Sequence, residues 1–270
     1  PWRAAEEAAG HHLYRSYAQL GRGWRRFLLG PKNQGNIGVL AWRGRTFALW
    51  EFGHPIPFDP DTLASAGTEN LGGVLSSAFG AHPHALGDAI LTTGLRFGPR
   101  FALDVYELRD DIRRLARVPL PWPTLVHDHA VTDRHIVLLI PPRRLHLLDL
   151  ALTRAPFLGS LRWRPELQAQ VIVLDRRDGA EITRFGVPAF FLWHTVNAWD
   201  DGDDIVIDYV RYDDDRTDAW FGRAPWHVEP VAPSTLQRAR VDPHRRTFTE
   251  RTLHATPMEF LAIADRKSVV

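Results

Sequence analysis

The 270-residue chain contains no cysteine. That excludes disulfides, thiolate nucleophiles, and zinc or iron–sulfur sites built on thiolates. No apolar run approaches the roughly 18 residues that a membrane-spanning helix needs. No secretory leader pattern opens the chain. Neither sign of charge dominates: 33 Lys+Arg against 32 Asp+Glu leave a net charge of +1. Nucleic acid is therefore not expected as a partner, because phosphate binding draws on a concentrated basic excess. Phosphate loops of the G-x-x-x-x-G-K-[ST] type and nucleophile elbows of the G-x-S-x-G type are also missing. The soft nitrogen ligands that remain are 13 histidines.

What is present reads as β structure. At 44% hydrophobic and 24% charged the composition is ordinarily globular, and a single domain over 1–270 is expected. Residues 36–53 read as two strands joined at Arg43-Gly44-Arg45. AILTTGLRFG and RFALDVYELRDD form another pair, and HAVTDRHIVLLIP a pair broken at Thr132-Asp133. Two further hairpins turn at Arg177-Asp178-Gly179 and at Asp201-Gly202. Asp-Gly between alternating apolar runs is a strong hairpin signal. Many short strands at near-regular spacing mean a sandwich, a barrel or a propeller. Two stretches read differently. Residues 1–30 begin rich in Ala and Glu and suit a short helix. Residues 143–164 (RRLHLLDLALTRAPFLGSLRWR) are rich in Leu, with arginines at each end. They suit a buried helix, or an apolar patch over 143–163 that touches a membrane interface.

Three histidines share a context. His82 lies in LSSAFGAHPHALG, after a small-residue stretch read as a strand and before Pro83, which biases it to an extended backbone. His127 ends a short apolar run in TLVHDHAV, and His194 ends the apolar run FFLW before a hairpin. No local metal motif such as H-E-x-x-H joins them. A lone histidine in a β protein is most often a satisfied core or surface imidazole, so the repeated context alone shifts the reading only modestly toward a shared metal.

The segments FALWEFGHPIPFDPDTLASAG, AHPH, HDHAVT, FLWHTVNAWDDGDDIVID and PMEF occur in that order. Together they resemble the carotenoid oxygenase family, which includes carotenoid cleavage dioxygenases, lignostilbene dioxygenases and a retinal isomerohydrolase. The resemblance runs from about Gly35 to Arg266. It implies an all-β, seven-bladed β-propeller with Fe(II) on its axis, held by four histidines. Three of these match His82, His127 and His194. Glutamates that hydrogen-bond the ligand imidazoles match Glu51 and Glu259. The family's fourth histidine and its third glutamate fall beyond the PMEF segment, and its first blade falls before this chain begins. A partial propeller, the middle of a longer protein, is therefore expected. His129 stands where the family usually has an aromatic residue, and Leu261 where it usually has proline.

The resemblance implies Fe(II)-dependent cleavage of a conjugated C=C bond by O2, giving two carbonyl products. The expected partners are a hydrophobic polyene (a carotenoid or apocarotenoid) and O2, in a cytoplasmic protein with peripheral membrane contact through 143–163. A stilbene-type substrate is the alternative within this chemistry, and Lewis-acid isomerisation is another. A metal-free propeller that only binds is the alternative outside it.

Overall fold

The computed structural model describes residues 2–10, 33–65, 67–98, 100–151, 158–217 and 233–259. His11, His12, Phe260 and Leu261, together with most of the 1–30 segment and the middle of 143–164, lie outside them. Helix α1 (Trp2–Ala9) is followed by strands β1 (Gly38–Trp42), β2 (Arg45–Leu49), β3 (Ile56–Phe58) and β4 (His84–Leu86). Then come β5 (Ala89–Arg96), β6 (Ala102–Leu108), β7 (Ile112–Pro119), β8 (Ala130–Val131), β9 (His135–Ile140) and β10 (Arg143–Leu145). After α2 (Leu147–Ala151) follow β11 (Leu161–Trp163), β12 (Ala169–Asp175), β13 (Glu181–Val187), β14 (Thr195–Asp201), β15 (Asp204–Tyr212), β16 (Ser234–Asp242) and β17 (Thr247–His254). The chain divides into two compact units. One comprises Pro1–Pro83, Ala89–Leu125 and Arg144–Arg162, the other His84–Asp88, Val126–Arg143 and Trp163–Val270.

In the first unit β1, β2 and β3 form an antiparallel meander. Its first turn uses Arg43 and Gly44, both at positive φ (52° and 70°), as a two-residue hairpin whose twist matches the strands requires. Strands β5, β6 and β7 form a second meander. β6 is buried along its whole length, Asp104 and Glu107 included. The sheet tolerates these carboxylates because β7 supplies arginines: Arg117 Nε meets Asp104 at 2.6 Å and Arg113 Nε meets Glu107 at 2.8 Å. Leu40, Phe47, Leu49, Phe79, Tyr106 and Leu108 form part of this unit's core.

The second unit holds two four-stranded antiparallel sheets, ordered β13-β12-β9-β8 and β14-β15-β16-β17. Three of the turns expected from the sequence, at Thr132-Asp133, Arg177-Asp178-Gly179 and Asp201-Gly202, are found here. Gly179 (φ 76°) closes β12–β13, and Gly202 (φ 63°) closes β14–β15. Val137, Leu139, Val171, Val173, Ile205 and Ile207, from the central strands of both sheets, share one core. They line one face of their strands, and Ile136, Leu138, Ile172, Leu174 and Val206 bury the other, at about 25 cal/mol per Å² of apolar area removed from water.

Segment 143–164 departs from the expected helix. Its ends are the strands β10 and β11, and α2 covers Leu147–Ala151 at the edge of the described residues. Arg143 is buried and pairs with Asp215 at 3.2 Å, so it is no surface cation. Leu147 and Leu148 are exposed. Among the described residues no helix is long and apolar enough to cross a membrane.

Candidate metal centre

The second unit brings His127, His194 and Glu259 together. The approach to His194 is not the strand that its apolar sequence suggested. Phe191 makes a single antiparallel bridge to Tyr212, Leu192 and Trp193 are buried, and β14 begins only at Thr195. The reason lies in the pairing with β15. Register slips between Thr195 and Asn197, so β14 is bulged at its first residues. A bulge re-aims the side chains beside it, and His194 sits at that bend, with its carbonyl accepting from Val210 N–H.

His127 precedes β8 in an irregular segment. Its Nε2 lies 3.2 Å from Nε2 of His194, and the two rings meet edge to face with centroids 4.9 Å apart. The edge of the His127 ring also meets Trp193 at 4.9 Å. On the far side of His194, Nδ1 donates to Glu259 Oε2 at 2.7 Å. The other carboxylate oxygen of Glu259 accepts the Tyr212 hydroxyl at 2.8 Å. Burial, then the Glu259 charge and hydrogen bond, push the Tyr212 pKa far above its ordinary value, so it stays a phenol and a donor. This chain of bonds fixes a tautomer. With its proton held at Nδ1 by a carboxylate, His194 presents a bare Nε2 lone pair toward His127, the arrangement usual for a metal-ligating imidazole.

The donors fit a metal ion. Two nitrogens each about 2.1 Å from one ion, at angles between square and tetrahedral, stand roughly 3.0–3.4 Å apart, and the pair here stands at 3.2 Å.

A second polar cluster adjoins this pair. Asp128 Oδ2 accepts Thr195 N–H at 2.8 Å and the Thr195 hydroxyl at 2.9 Å. Its Oδ1 accepts His129 N–H at 2.7 Å and lies 2.7 Å from His84 Nε2. The buried carboxylate of the residue after His127 thus ties the residue after His194 to His129 and His84. Burial lowers the His84 pKa, but the hydrogen bond and charge of Asp128 outweigh it and the net shift is upward.

In the first unit, His82 is partly buried and Glu51 buried. Glu51 follows Trp50 directly after β2 and is buried there. The segment before His82 is not a strand. Residues 78–80 run beside β5, with Ala78 N–H bonded to Leu95 O and Gly80 N–H to Thr93 O. The approach is so close that a Cβ on Gly94 would stand 1.7 Å from the Ala78 carbonyl oxygen. Gly80 meets the same limit, since a Cβ there would stand 2.4 Å from the Thr93 carbonyl oxygen.

Sequence reasoning missed Tyr212, Asp128 and Thr195. Asp128 carried a visible signal, lying between two histidines of the HDH triplet. Tyr212 carried none, because its partner is 47 positions away.

Comparison with known proteins follows the same line. A sequence model of the family described as "Retinal pigment epithelial membrane protein" matches residues 3–269. Apocarotenoid-15,15'-oxygenase of Synechocystis sp. is 27% identical over 279 residues, covering 94% of this chain and 55% of that protein. Isoeugenol monooxygenase of Pseudomonas putida is 30% identical over 184 residues, covering 65% of this chain and 38% of that protein. The crystal structure of cobalt-substituted Synechocystis apocarotenoid oxygenase superposes with a TM-score of 0.79 at 25% identity, over 93% of this chain and 56% of the other. That likeness shows the fold expected from the sequence, all-β and of the seven-bladed propeller type. The chain spans about half the length, or less, of the curated relatives it matches.

Proposed function

The chain belongs to the retinal pigment epithelial membrane protein family, and from that premise we propose that it serves a non-haem Fe(II) dioxygenase that cleaves a conjugated C=C bond of an apocarotenoid or carotenoid. The observation that carries this reading is the Nε2–Nε2 approach of His127 and His194, with Glu259 holding the opposite edge of His194. In this reading His127 and His194 are iron ligands. The motif resemblance gives His82 the same role, and gives Glu51 the orienting role of Glu259. Bound there, Fe(II) supplies the activation of O2 that turns one C=C bond and one O2 into two C=O groups.

The protein's own residues do the rest. Glu259 keeps the His194 proton on Nδ1, and Tyr212 keeps Glu259 aimed. Three neutral imidazoles leave the dication its full charge, and the carboxylates return negative charge from one shell out. Trp193 gives His127 an apolar flank, suited to a greasy substrate that is positioned by shape. Exposed Leu147 and Leu148, within 143–163, support peripheral contact with the lipid that such a substrate dissolves in.

The test supplies the iron-loaded protein with an apocarotenal and labelled O2. Two carbonyl products with label in them support the reading, and their absence with His194→Ala ties them to the site. Iron-bound protein that yields neither product nor O2 uptake defeats it. Similarity to isoeugenol monooxygenase, at 30% identity, favours one second reading. A phenylpropenoid or stilbene substrate, assayed in parallel, is cleaved instead if that reading holds.

A further inference from the structure

The second unit gathers another donor set whose members take no part in the proposed iron ligation. His84 Nε2 lies 2.7 Å from Asp128 Oδ1, and His129 Nδ1 lies 3.9 Å from the same oxygen. The two imidazoles meet edge to face with centroids 4.7 Å apart. One donor atom from each residue falls within 4.8 Å of the other two. We propose that His84, Asp128 and His129 form a second divalent-cation site, suited to a borderline ion such as Zn²⁺ or Co²⁺.

Four observations carry it. The first is chemical: two imidazoles and one carboxylate are a donor set that borderline ions accept, with a fourth position open to water. The second is spacing. Donors about 2.0–2.1 Å from one tetrahedral ion stand roughly 3.4 Å apart, and the distances of 2.7 and 3.9 Å lie on either side of that value. All three donor atoms already lie within 4.8 Å of one another, so closure asks chiefly for rotation of side chains. The third is preorganisation. Asp128 is held by Thr195 N–H, the Thr195 hydroxyl and His129 N–H. An outer shell of that kind fixes a ligating carboxylate and is itself worth about 10–100-fold in metal affinity. The fourth is access. Side chains of Asp128 and His129 are 3% and 1% exposed, but that of His84 is 32% exposed. An ion therefore reaches the buried pair through His84. Binding moves His84 Nε2 from the Asp128 hydrogen bond to the ion, and any proton on that nitrogen leaves to solvent.

The site is separable from the iron reading, because it shares no side chain with His127, His194 or Glu259. The experiment is a Co²⁺ titration of the protein, followed by calorimetry and by visible absorption. The parent is compared with His84→Gln, His129→Phe and His127→Ala. His84→Gln keeps a donor to Asp128 at a partly exposed position, so the fold is retained. His84→Gln and His129→Phe are each expected to lose one equivalent of Co²⁺, or to bind it more than 100-fold more weakly. His127→Ala keeps that equivalent, whatever it does to the other. If His129→Phe fails to fold, His84→Gln decides alone. Equal stoichiometry and affinity in the parent and His84→Gln overturn the proposal.

Discussion

Glu259 is where the proposed centre is most exposed to test. Its two oxygens do different jobs, one accepting His194 Nδ1–H at 2.7 Å and the other the Tyr212 hydroxyl at 2.8 Å. In Glu259→Gln the amide oxygen can still accept from His194, and the amide N–H₂ can turn to the Tyr212 oxygen, which accepts as readily as it donates. Hydrogen bonds are conserved in number; only the charge is lost. Stability should therefore change by less than about 1 kcal/mol, the gap between a charged and a neutral hydrogen bond. Metal affinity should fall by about 10–100-fold, or ~1.4–2.8 kcal/mol, as for other outer-shell carboxylates. Glu259→Ala separates the two effects. It strips partners from the His194 Nδ1 and from Tyr212, which is 3% exposed, at about 1–3 kcal/mol for each buried group left unmade. Thermal unfolding of the metal-free protein and competition for Co²⁺ or Fe²⁺ against a chelator measure both quantities. A Glu259→Gln variant that binds metal as tightly as the parent would refute the argument that this carboxylate sets the His194 imidazole.

Three other outcomes follow from the same structure. Gly94→Ala places a methyl group 1.7 Å from the Ala78 carbonyl oxygen; it should cost at least the ~1–3 kcal/mol of an overpacked site, and an unchanged melting temperature would show that the 78–80 segment is not pinned there. Asp104 carries a pH signature. Burial raises its pKa, but the Arg117 hydrogen bond and charge outweigh this and hold it below 3.8. A depressed folded pKa contributes stability that is complete above the unfolded value and lost as pH falls through the folded one. Asp104→Asn should thus be less stable at neutral pH and flatter in its acid limb below about pH 3.8; an unaltered slope there, in a denaturant series, would contradict this. Replacing Leu147 and Leu148, 48% and 62% exposed, with Asp should release the protein from liposomes while leaving its circular dichroism intact. An insoluble double variant would assign these leucines to packing.

The chain's local chemistry was enough for several of its hairpins. Arg43-Gly44, Gly179 and Gly202 mark turns because few residues take a positive φ cheaply. The short apolar runs of β5, β9, β12 and β15 read as strands in the sequence because these strands are buried on both faces for most of their length. The order of the motifs around His82, His127 and His194 named the family before any geometry was known. Strands with arginine faces, β7 and β16, were not legible, since their polar residues answer to carboxylates on neighbouring strands: Asp104 and Glu107 for β7, Asp208 for β16. Nor was the bent approach to His194, because a bulge depends on register against β15 and not on its own residues. The centre itself belongs to tertiary structure. His127 and His194 stand 67 positions apart, and His194 and Glu259 another 65. Hydrogen bonds fall off within a few tenths of an ångström. Which histidine meets which carboxylate, which tautomer results, and which oxygen of Asp128 faces His84 were therefore decided only when the sheets of the second unit packed.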